Sequence, residues 1–180
     1  MIELEAKFRI VTPLFMSGSD KSNSELRVPS IKGVLRFWWR ALVLGRLSSV
    51  SKVREEESRI FGSAGNDVGQ AKVHLRLKLP EDVVQYKDPI LKYADGEPVG
   101  PGARYLGYGV VEAVPSKKRN TKEDQLLRSC LKYPFEGTLN LLFKNGTSSD
   151  DIKSIESAIV AMGLFGGLGS RSRKGYGSFN

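Results

Sequence analysis

The sequence predicts an α+β fold in which helices cover one face of an antiparallel sheet. Three stretches alternate apolar and polar residues at the period of a half-buried strand: 3–11, 70–79 and 135–144. Residues 30–47 and 148–162 instead repeat apolar residues at helical spacing. With a short last strand at 176–179, the order becomes strand, helix, strand, insertion, strand, helix, strand. This is the βαββαβ plan of the ferredoxin-like (RRM-like) fold, which leaves one sheet face open.

The first strand is expected to place basic side chains on that open face. Lys7 and Arg9 lie on its polar side, whereas Phe8 and Ile10 lie on the apolar side. The following segment, 12–29, is polar and rich in serine and glycine, so we expect a loop there.

The predicted helix after Pro29 holds both tryptophans of the chain between basic residues. We expect Ser30 to cap its first turn. At 100° per residue, one face of this helix is apolar and collects Ile31, Val34, Leu35, Trp38, Ala41 and Leu42. The opposite side collects Lys32, Gly33, Arg36 and Arg40. Positive charge in the first turn of a helix favours an anion such as a phosphate.

The two adjacent tryptophans are expected to differ in their surroundings. Trp38 lies on the apolar face, and we expect it to fill the core, as large aromatic side chains usually do. Trp39 lies at the edge of that face, beside Lys32 and Arg36. It can cover the margin of the core or stack on a base, and the sequence leaves both roles open.

A second helix is expected at 51–61, ended by Gly62, before the strand at 70–79. That strand has one basic face. Together with the polar residues of the other strands, the open sheet face would carry Lys7, Arg9, Lys72, His74, Arg76, Lys78 and Asn140. Such a row either keeps an edge strand soluble or forms a surface for a polyanion.

Residues 80–134 are broken up by prolines and turns, and we interpret them as an insertion between two core strands. A strand at 105–114 and an exposed basic tip at 117–120 are expected within it. The chain is then a single domain, 1–180, with its core at 1–79 and 135–180.

The second core helix is expected to begin after Ser148, with Asp151 three positions on, as in a capping box. It leads into a glycine-rich stretch, 166–177, whose polar side chains include Arg171, Arg173 and Lys174, with Tyr176 close behind. Glycine lets backbone amides approach a ligand, and arginines can fork onto phosphate oxygens. No Gly-Lys-Ser/Thr ends the stretch, so it is not a nucleotide P-loop. The alternatives are an anion or RNA contact and a flexible solvated loop.

Composition narrows the classes of function. The 28 Lys and Arg outweigh 20 Asp and Glu, and the net charge of +8 favours polyanionic partners. One cysteine, Cys130, and one histidine, His74, exclude a disulfide framework and a Cys/His zinc site within this chain. We expect no cofactor. The sequence has no apolar run long enough for a membrane span and no signal-peptide pattern, so we expect a cytoplasmic protein without a membrane partner.

The stretch Gly-Leu-Gly-Ser-Arg-Ser-Arg-Lys-Gly-Tyr-Gly at 167–177 resembles the C-terminal glycine-rich loop of the RAMP superfamily, the repeat-associated proteins of type III CRISPR effector complexes. More narrowly, the residues that resemble the first-numbered subunit of the Cmr (type III-B) complex are Thr12-Pro13, Gly18, Arg27, Ser30-Ile31-Lys32-Gly33 and Arg36-Phe37-Trp38-Trp39-Arg40. The resemblance implies a non-catalytic RNA-binding subunit that helps to hold guide RNA and target RNA beside other Cmr subunits. It also implies two ferredoxin-like units, so this chain can be the N-terminal half of such a protein.

Our leading hypothesis is therefore binding of single-stranded RNA, guide or target, through phosphate contacts and stacking. The predicted RNA-binding residues are Lys32, Gly33, Arg36, Trp39, Arg40, Lys7, Arg9, His74, Arg76, Arg171, Arg173, Lys174 and Tyr176. We also expect the first helix turn and the glycine-rich loop to lie at one edge of the fold. Two alternatives remain, a protein-protein assembly module without RNA contact and an endoribonuclease with His74 as its general base.

Overall fold

The fold of the core strands follows the predicted plan. The computed structural model describes residues 2–20, 22–63, 69–83, 85–86, 100–115 and 122–180. Its strands are β1 (Ile2–Ile10), β2 (Val73–Lys78), β3 (Gln85–Tyr86), β4 (Val111–Pro115), β5 (Lys122–Leu126), β6 (Cys130–Leu131) and β7 (Phe135–Phe143). Its helices are α1 (Val28–Leu47), α2 (Val50–Phe61), α3 (Pro101–Leu106) and α4 (Ser149–Phe165), with a short 3₁₀ helix at Ser172–Lys174.

The chain forms two compact units. Unit 1 comprises Met1–Phe8, Val28–Leu79 and Glu136–Gly166. Unit 2 comprises Arg9–Arg27, Pro80–Phe135 and Gly167–Asn180. Each unit is therefore assembled from three separate stretches of the chain.

The main sheet has the strand order β1–β7–β2, with the third core strand between the first two, as the ferredoxin-like fold requires. β7 and β2 are antiparallel, with Val73 opposite Phe143 and Lys78 opposite Thr138. Side chains alternate in burial along β1 and β2, so that one face of each strand points inward and the other is exposed, as predicted. The expected strand at 176–179 is reduced to an antiparallel bridge between Ile10 and Phe179.

Helix α1 differs from the prediction at its start and in its buried face. It begins at Val28, so Ser30 lies inside it rather than capping it, because Pro29 fits the first turn of a helix without loss of a hydrogen bond. The buried residues of α1 are Ile31, Leu35, Trp39 and Val43. Apolar side chains surround most of α1, so their spacing alone could not identify the face that meets the core.

Helix α2 ends where predicted, and α4 begins after Ser148 as predicted but continues past the expected position 162 to Phe165. α2 ends at Phe61, and Gly62 follows with φ 81°, a left-handed conformation that suits glycine. At the start of α4, the Asp151 backbone N–H donates to the Ser148 hydroxyl at 3.1 Å, as the capping pattern predicts. α1 packs on both α2 and α4, which makes it the central helix of unit 1.

Unit 2 contains two two-stranded sheets, β3–β6 and β4–β5. The expected strand at 105–114 was wrong in its first part, because helix α3 runs to Leu106. This helix begins at Pro101, since a proline suits the first helical position. The unit has its own core cluster, formed by Phe15, Val110, Val111, Cys130 and Tyr176. The basic tip expected at 117–120 lies outside the described residues.

The length and polarity of the helices were compared with what a membrane span requires. Within the part of the chain that the structure describes, every helix is too short or too polar to span a bilayer.

Candidate nucleic-acid interface

Three cations of α1 have partners within unit 1: Lys32, Arg36 and Arg40. The carboxylate of Glu57 in α2 accepts hydrogen bonds from Arg36 Nε at 2.7 Å and from Arg40 Nη1 at 2.5 Å. Lys32 Nζ donates to the Phe61 carbonyl at 2.9 Å. Partial burial, together with the charge of Arg36, lowers the pKa of Lys32. These contacts tie α1 to α2, and a role of the three cations in RNA binding stays a prediction.

The position of Trp39 corrects its predicted role in stacking. Its side chain is only 1% exposed, and its indole N–H donates to the Ser154 hydroxyl at 2.9 Å. A base cannot reach this ring, because α4 and Phe61 cover it. Trp38 is instead the more exposed tryptophan, and its ring lies 6.0 Å from that of Phe165.

Most of the predicted basic row is exposed on the open face of the main sheet, but Lys72 precedes β2 and is only partly exposed. His74, Arg76 and Lys78 are exposed along β2. On β1, Lys7 is exposed, with its ammonium 3.9 Å from a carboxylate two residues earlier. Arg9, near the end of β1, is also exposed. Contact of these side chains with RNA stays a prediction. Gly33 is exposed on α1, and its contact with RNA also stays a prediction.

Asn140 does not belong to the exposed part of that face. It is 2% exposed on the central strand β7, and its amide nitrogen donates to Glu3 Oε1 at 2.7 Å. A side chain on a central strand is flanked by those of both neighbouring strands, which explains its burial.

The glycine-rich stretch is a tightly held loop rather than a flexible one. The Leu168 N–H donates to the Gly177 carbonyl at 2.9 Å, and the Ser170 N–H donates to the Phe15 carbonyl at 2.8 Å. Arg171 adopts a left-handed φ of 60° immediately before the 3₁₀ helix. The cationic side chains of the loop are all exposed: Arg171, Arg173 and Lys174. The hydrogen-bonded backbone thus holds three basic residues at the surface of unit 2.

Tyr176 in the same loop was wrongly predicted to stack on RNA. It is 5% exposed, its ring meets that of Phe15 edge-on at 5.5 Å, and its hydroxyl donates to the Ala103 carbonyl at 2.7 Å. The ring fills the core of unit 2 and anchors the loop there. The hydroxyl keeps a buried hydrogen bond, which is the usual condition for burying a tyrosine.

Sequence reasoning missed a groove in unit 2 beside this loop. The groove has a volume of about 740 Å³, and its lining includes Tyr105, Tyr108, Leu127, Arg171 and Lys174. The two tyrosines are 82% and 77% exposed. Two tyrosines three positions apart after Gly100-Pro101 were the available signal, but their proximity to Arg171 depends on how distant parts of the chain fold together.

Two observations on the described part of the chain concern metal ligands and the cysteine thiol. Its His, Cys, Asp and Glu side chains form no cluster of three or more that could hold a metal ion. Cys130 is buried, and burial raises the pKa of its thiol to about 12, so it is a core residue.

The comparisons with known proteins agree with this fold. A family model described as the RAMP superfamily matches residues 7–180, and the chain belongs to that superfamily. Within it, the chain is 30% identical over 183 residues to the CRISPR system Cmr subunit Cmr1-2 of Pyrococcus furiosus. That alignment covers 99% of this chain and 92% of the relative. The chain is therefore homologous to a Cmr1 subunit.

Solved structures show the same fold at lower identity. Cmr1 from Pyrococcus furiosus in its apo form is similar with a TM-score of 0.63 at 23% identity, over 100% of this chain and 49% of that one. A chain of the type III-B Cmr-β complex bound to cognate target RNA gives a TM-score of 0.58 at 16% identity, over 99% and 57% of the two chains. The chain thus spans about half the length of the solved Cmr1 protein.

Proposed function

We propose that this chain is a non-catalytic RNA-binding subunit of a type III-B CRISPR effector complex, acting in antiviral RNA silencing in the cytoplasm. It holds guide or target RNA by phosphate contacts and leaves sequence recognition to base pairing. Its other partners are further subunits of the complex and, if it is the N-terminal half of a longer protein, a second ferredoxin-like half. Homology to a Cmr1 subunit supports this proposal.

One observation carries the proposal, the fixed basic loop of unit 2. Arg171, Arg173 and Lys174 are exposed, and none has a carboxylate within ion-pair distance among the described residues. A cation without an acidic partner is free to replace the counterions of a phosphate backbone. Because the loop backbone is hydrogen-bonded, little backbone conformational entropy is lost when RNA binds. The exposed row on β2 offers a second basic surface of the same kind.

The test is RNA affinity after charge reversal in the loop. We expect the double variant Arg173→Glu/Lys174→Glu to bind a single-stranded RNA more weakly and with a flatter salt dependence, by about 0.7 in slope for each phosphate that is no longer neutralised. The matched control is Lys52→Glu/Lys153→Glu, which makes the same charge change at exposed positions of α2 and α4. Equally weakened binding in both variants would reduce the effect to net charge and contradict a specific contact.

A second candidate function, protein-protein assembly, is favoured by the apolar surface of unit 1. Large hydrophobic side chains are 43–73% exposed on two of its helices: Phe37, Leu42 and Leu44 on α1, and Val160, Leu164 and Phe165 on α4. Exposed apolar patches commonly mark interfaces. Under this function, Leu44→Glu should prevent incorporation into the effector complex, whereas Val50→Glu, at an exposed position of α2, should not.

An endoribonuclease role for His74 has no such support. The side chain is exposed in the middle of β2, with Arg76 two residues on along the same face. General acid-base cleavage of RNA needs a second proton-transfer group within reach. We therefore propose that RNA incubated with the chain remains intact, in wild type and in His74→Ala alike.

A further inference from the structure

The groove of unit 2 combines two chemical features, exposed aromatic rings and positive charge. Tyr105 and Tyr108 present aromatic rings, and Arg171 and Lys174 supply positive charge at the same groove. No carboxylate occurs among the described residues that line it. The groove therefore offers flat apolar surfaces to a ring and cations to an anion attached to that ring.

Tyr108 and Arg171 are held in a defined arrangement. The guanidinium carbon of Arg171 lies over the Tyr108 ring, 5.8 Å from its centroid, in a cation–π contact. The ring is nevertheless 77% exposed, so most of its surface remains available. The turn that carries it is fixed, because the Val110 and Val111 N–H groups both donate to the Gly107 carbonyl at 2.8 Å.

We infer that this groove binds one unstacked nucleotide of a single-stranded RNA, with its base on Tyr108 and its phosphate toward Arg171 and Lys174. The inference rests on the proposed function and adds a stacking site to its phosphate contacts. Every base has an aromatic face, so such a site holds RNA without selecting its sequence. It also favours unpaired over paired RNA, since a base inside a duplex is already stacked.

The dimensions and charge of the groove favour a nucleotide over a peptide. Its volume of about 740 Å³ lies within the range of small-ligand sites, and its opening is wide enough for both tyrosines to stay exposed. A peptide would have to bring an acidic group and an aromatic or apolar group together at the right spacing. A nucleotide carries its anion and its ring in one compact unit.

The first experiment compares RNA affinity across exposed aromatic positions in the full chain. Tyr108→Ala should weaken binding of a single-stranded RNA roughly 5- to 150-fold, the usual effect of removing a stacked ring, without changing the salt dependence. Tyr108→Phe keeps the ring and should bind as wild type does. Phe165→Ala is the matched control, because it removes a similarly exposed ring of unit 1.

A second measurement needs no variant of the groove. RNA containing 4-thiouridine, irradiated in complex with the wild-type chain, should crosslink to the segment that carries Tyr105 and Tyr108, with the site read by mass spectrometry. Adenosine monophosphate, tested as a competitor, distinguishes a free nucleotide from a nucleotide within a strand. We expect it to compete weakly, because it lacks the neighbouring phosphates of a strand.

The outcomes separate this inference from the proposed function. If wild type binds RNA with the expected salt dependence but Tyr108→Ala binds equally well and no crosslink forms in the groove, the stacking site is wrong and the proposed function stands. If wild type does not bind RNA, both fail. If adenosine monophosphate binds as tightly as RNA in a Tyr108-dependent way, the groove is a free-nucleotide site and its assignment to RNA is overturned.

Discussion

The guanidinium of Arg59 and the carboxylate of Asp151 meet in a two-point contact between α2 and α4. Arg59 Nη1 donates to Asp151 Oδ2 at 2.7 Å, and Nη2 donates to Oδ1 at 2.6 Å. Two parallel hydrogen bonds of this kind fix orientation as well as distance. The contact joins the second helix of the chain to the last one, and its carboxylate is buried.

This contact predicts a pH-dependent loss of stability. Hydrogen bonds from Arg59 hold the pKa of Asp151 below its usual value, which is about 3.9 in an unfolded chain. A depressed pKa in the folded state stabilises the fold above the unfolded value, and that stability is lost as the pH falls through the folded value. We expect Asp151→Asn to lower the free energy of unfolding by about 2 kcal/mol at pH 7, with the difference from wild type closing below about pH 4.

The measurement is urea unfolding of both proteins at a series of pH values. Asp150→Asn is the matched control, because Asp150 is exposed in the same first turn of α4. An equal loss of stability and an equal pH profile in the two variants would show that the charge in the first turn of α4, and not the contact with Arg59, accounts for the effect.

Removal of the Glu57 carboxylate is expected to destabilise unit 1. Glu57 is 6% exposed and is the common acceptor of Arg36 and Arg40. Glu57→Gln leaves two cations at a partly buried site without their counterion, at a cost of about 2 kcal/mol. Thermal unfolding should show the loss for Glu57→Gln and little change for Glu55→Gln, whose side chain is exposed on the same helix. Equal stability of Glu57→Gln and wild type would mean that the two arginines are not held by this carboxylate.

The two tryptophans should be distinguishable by fluorescence. In Trp38→Phe the remaining Trp39 is buried, so its emission should be blue-shifted and poorly quenched by acrylamide. In Trp39→Phe the remaining Trp38 should be quenched more readily, and stability should fall by about 2 kcal/mol through poorer packing and the absence of the hydrogen bond to Ser154. The reverse order of quenching would restore the sequence-based assignment.

Two glycines of the basic loop allow a matched test of how tightly its backbone is packed. Gly175 and Gly177 both have positive φ, 87° and 61°. A Cβ at Gly177 would lie 1.9 Å from the Leu168 carbonyl oxygen, whereas one at Gly175 has nothing within 4 Å. We expect Gly175→Ala to cost about 1 kcal/mol, the usual left-handed penalty, and Gly177→Ala clearly more in urea unfolding. Equal costs would mean that the loop backbone relaxes around the added methyl group.

The sheet could be predicted from the sequence, because strands with one buried face alternate their side chains wherever they occur. The buried face of α1 could not, since Phe37, Trp38 and Leu42 are apolar but lie outside its core stripe. Glu57 was indistinguishable from its neighbours in a run of three glutamates, which suggests a solvated helix face. Its burial depends on where Arg36 and Arg40 approach from another helix.

The candidate site was predictable only in part, for a related reason. Charge and glycine content identified the loop at 166–177, and its cations are exposed as such a composition suggests. That Tyr176 points into the core while Tyr108 points outward follows from how three separate segments of unit 2 fold together. Local patterns carry no information about that arrangement.

The discontinuous make-up of unit 2 has a consequence for synthesis on the ribosome. Its first stretch, Arg9–Arg27, is made early, but its partners in Gly167–Asn180 are made after the whole of unit 1. The early segment, with its buried Leu14 and Phe15, must therefore wait in an incompletely packed state while the remaining chain emerges. Pairings between segments so far apart in sequence also form slowly. Until Gly167–Asn180 has been made, Arg9–Arg27 lacks part of the packing that unit 2 gives it.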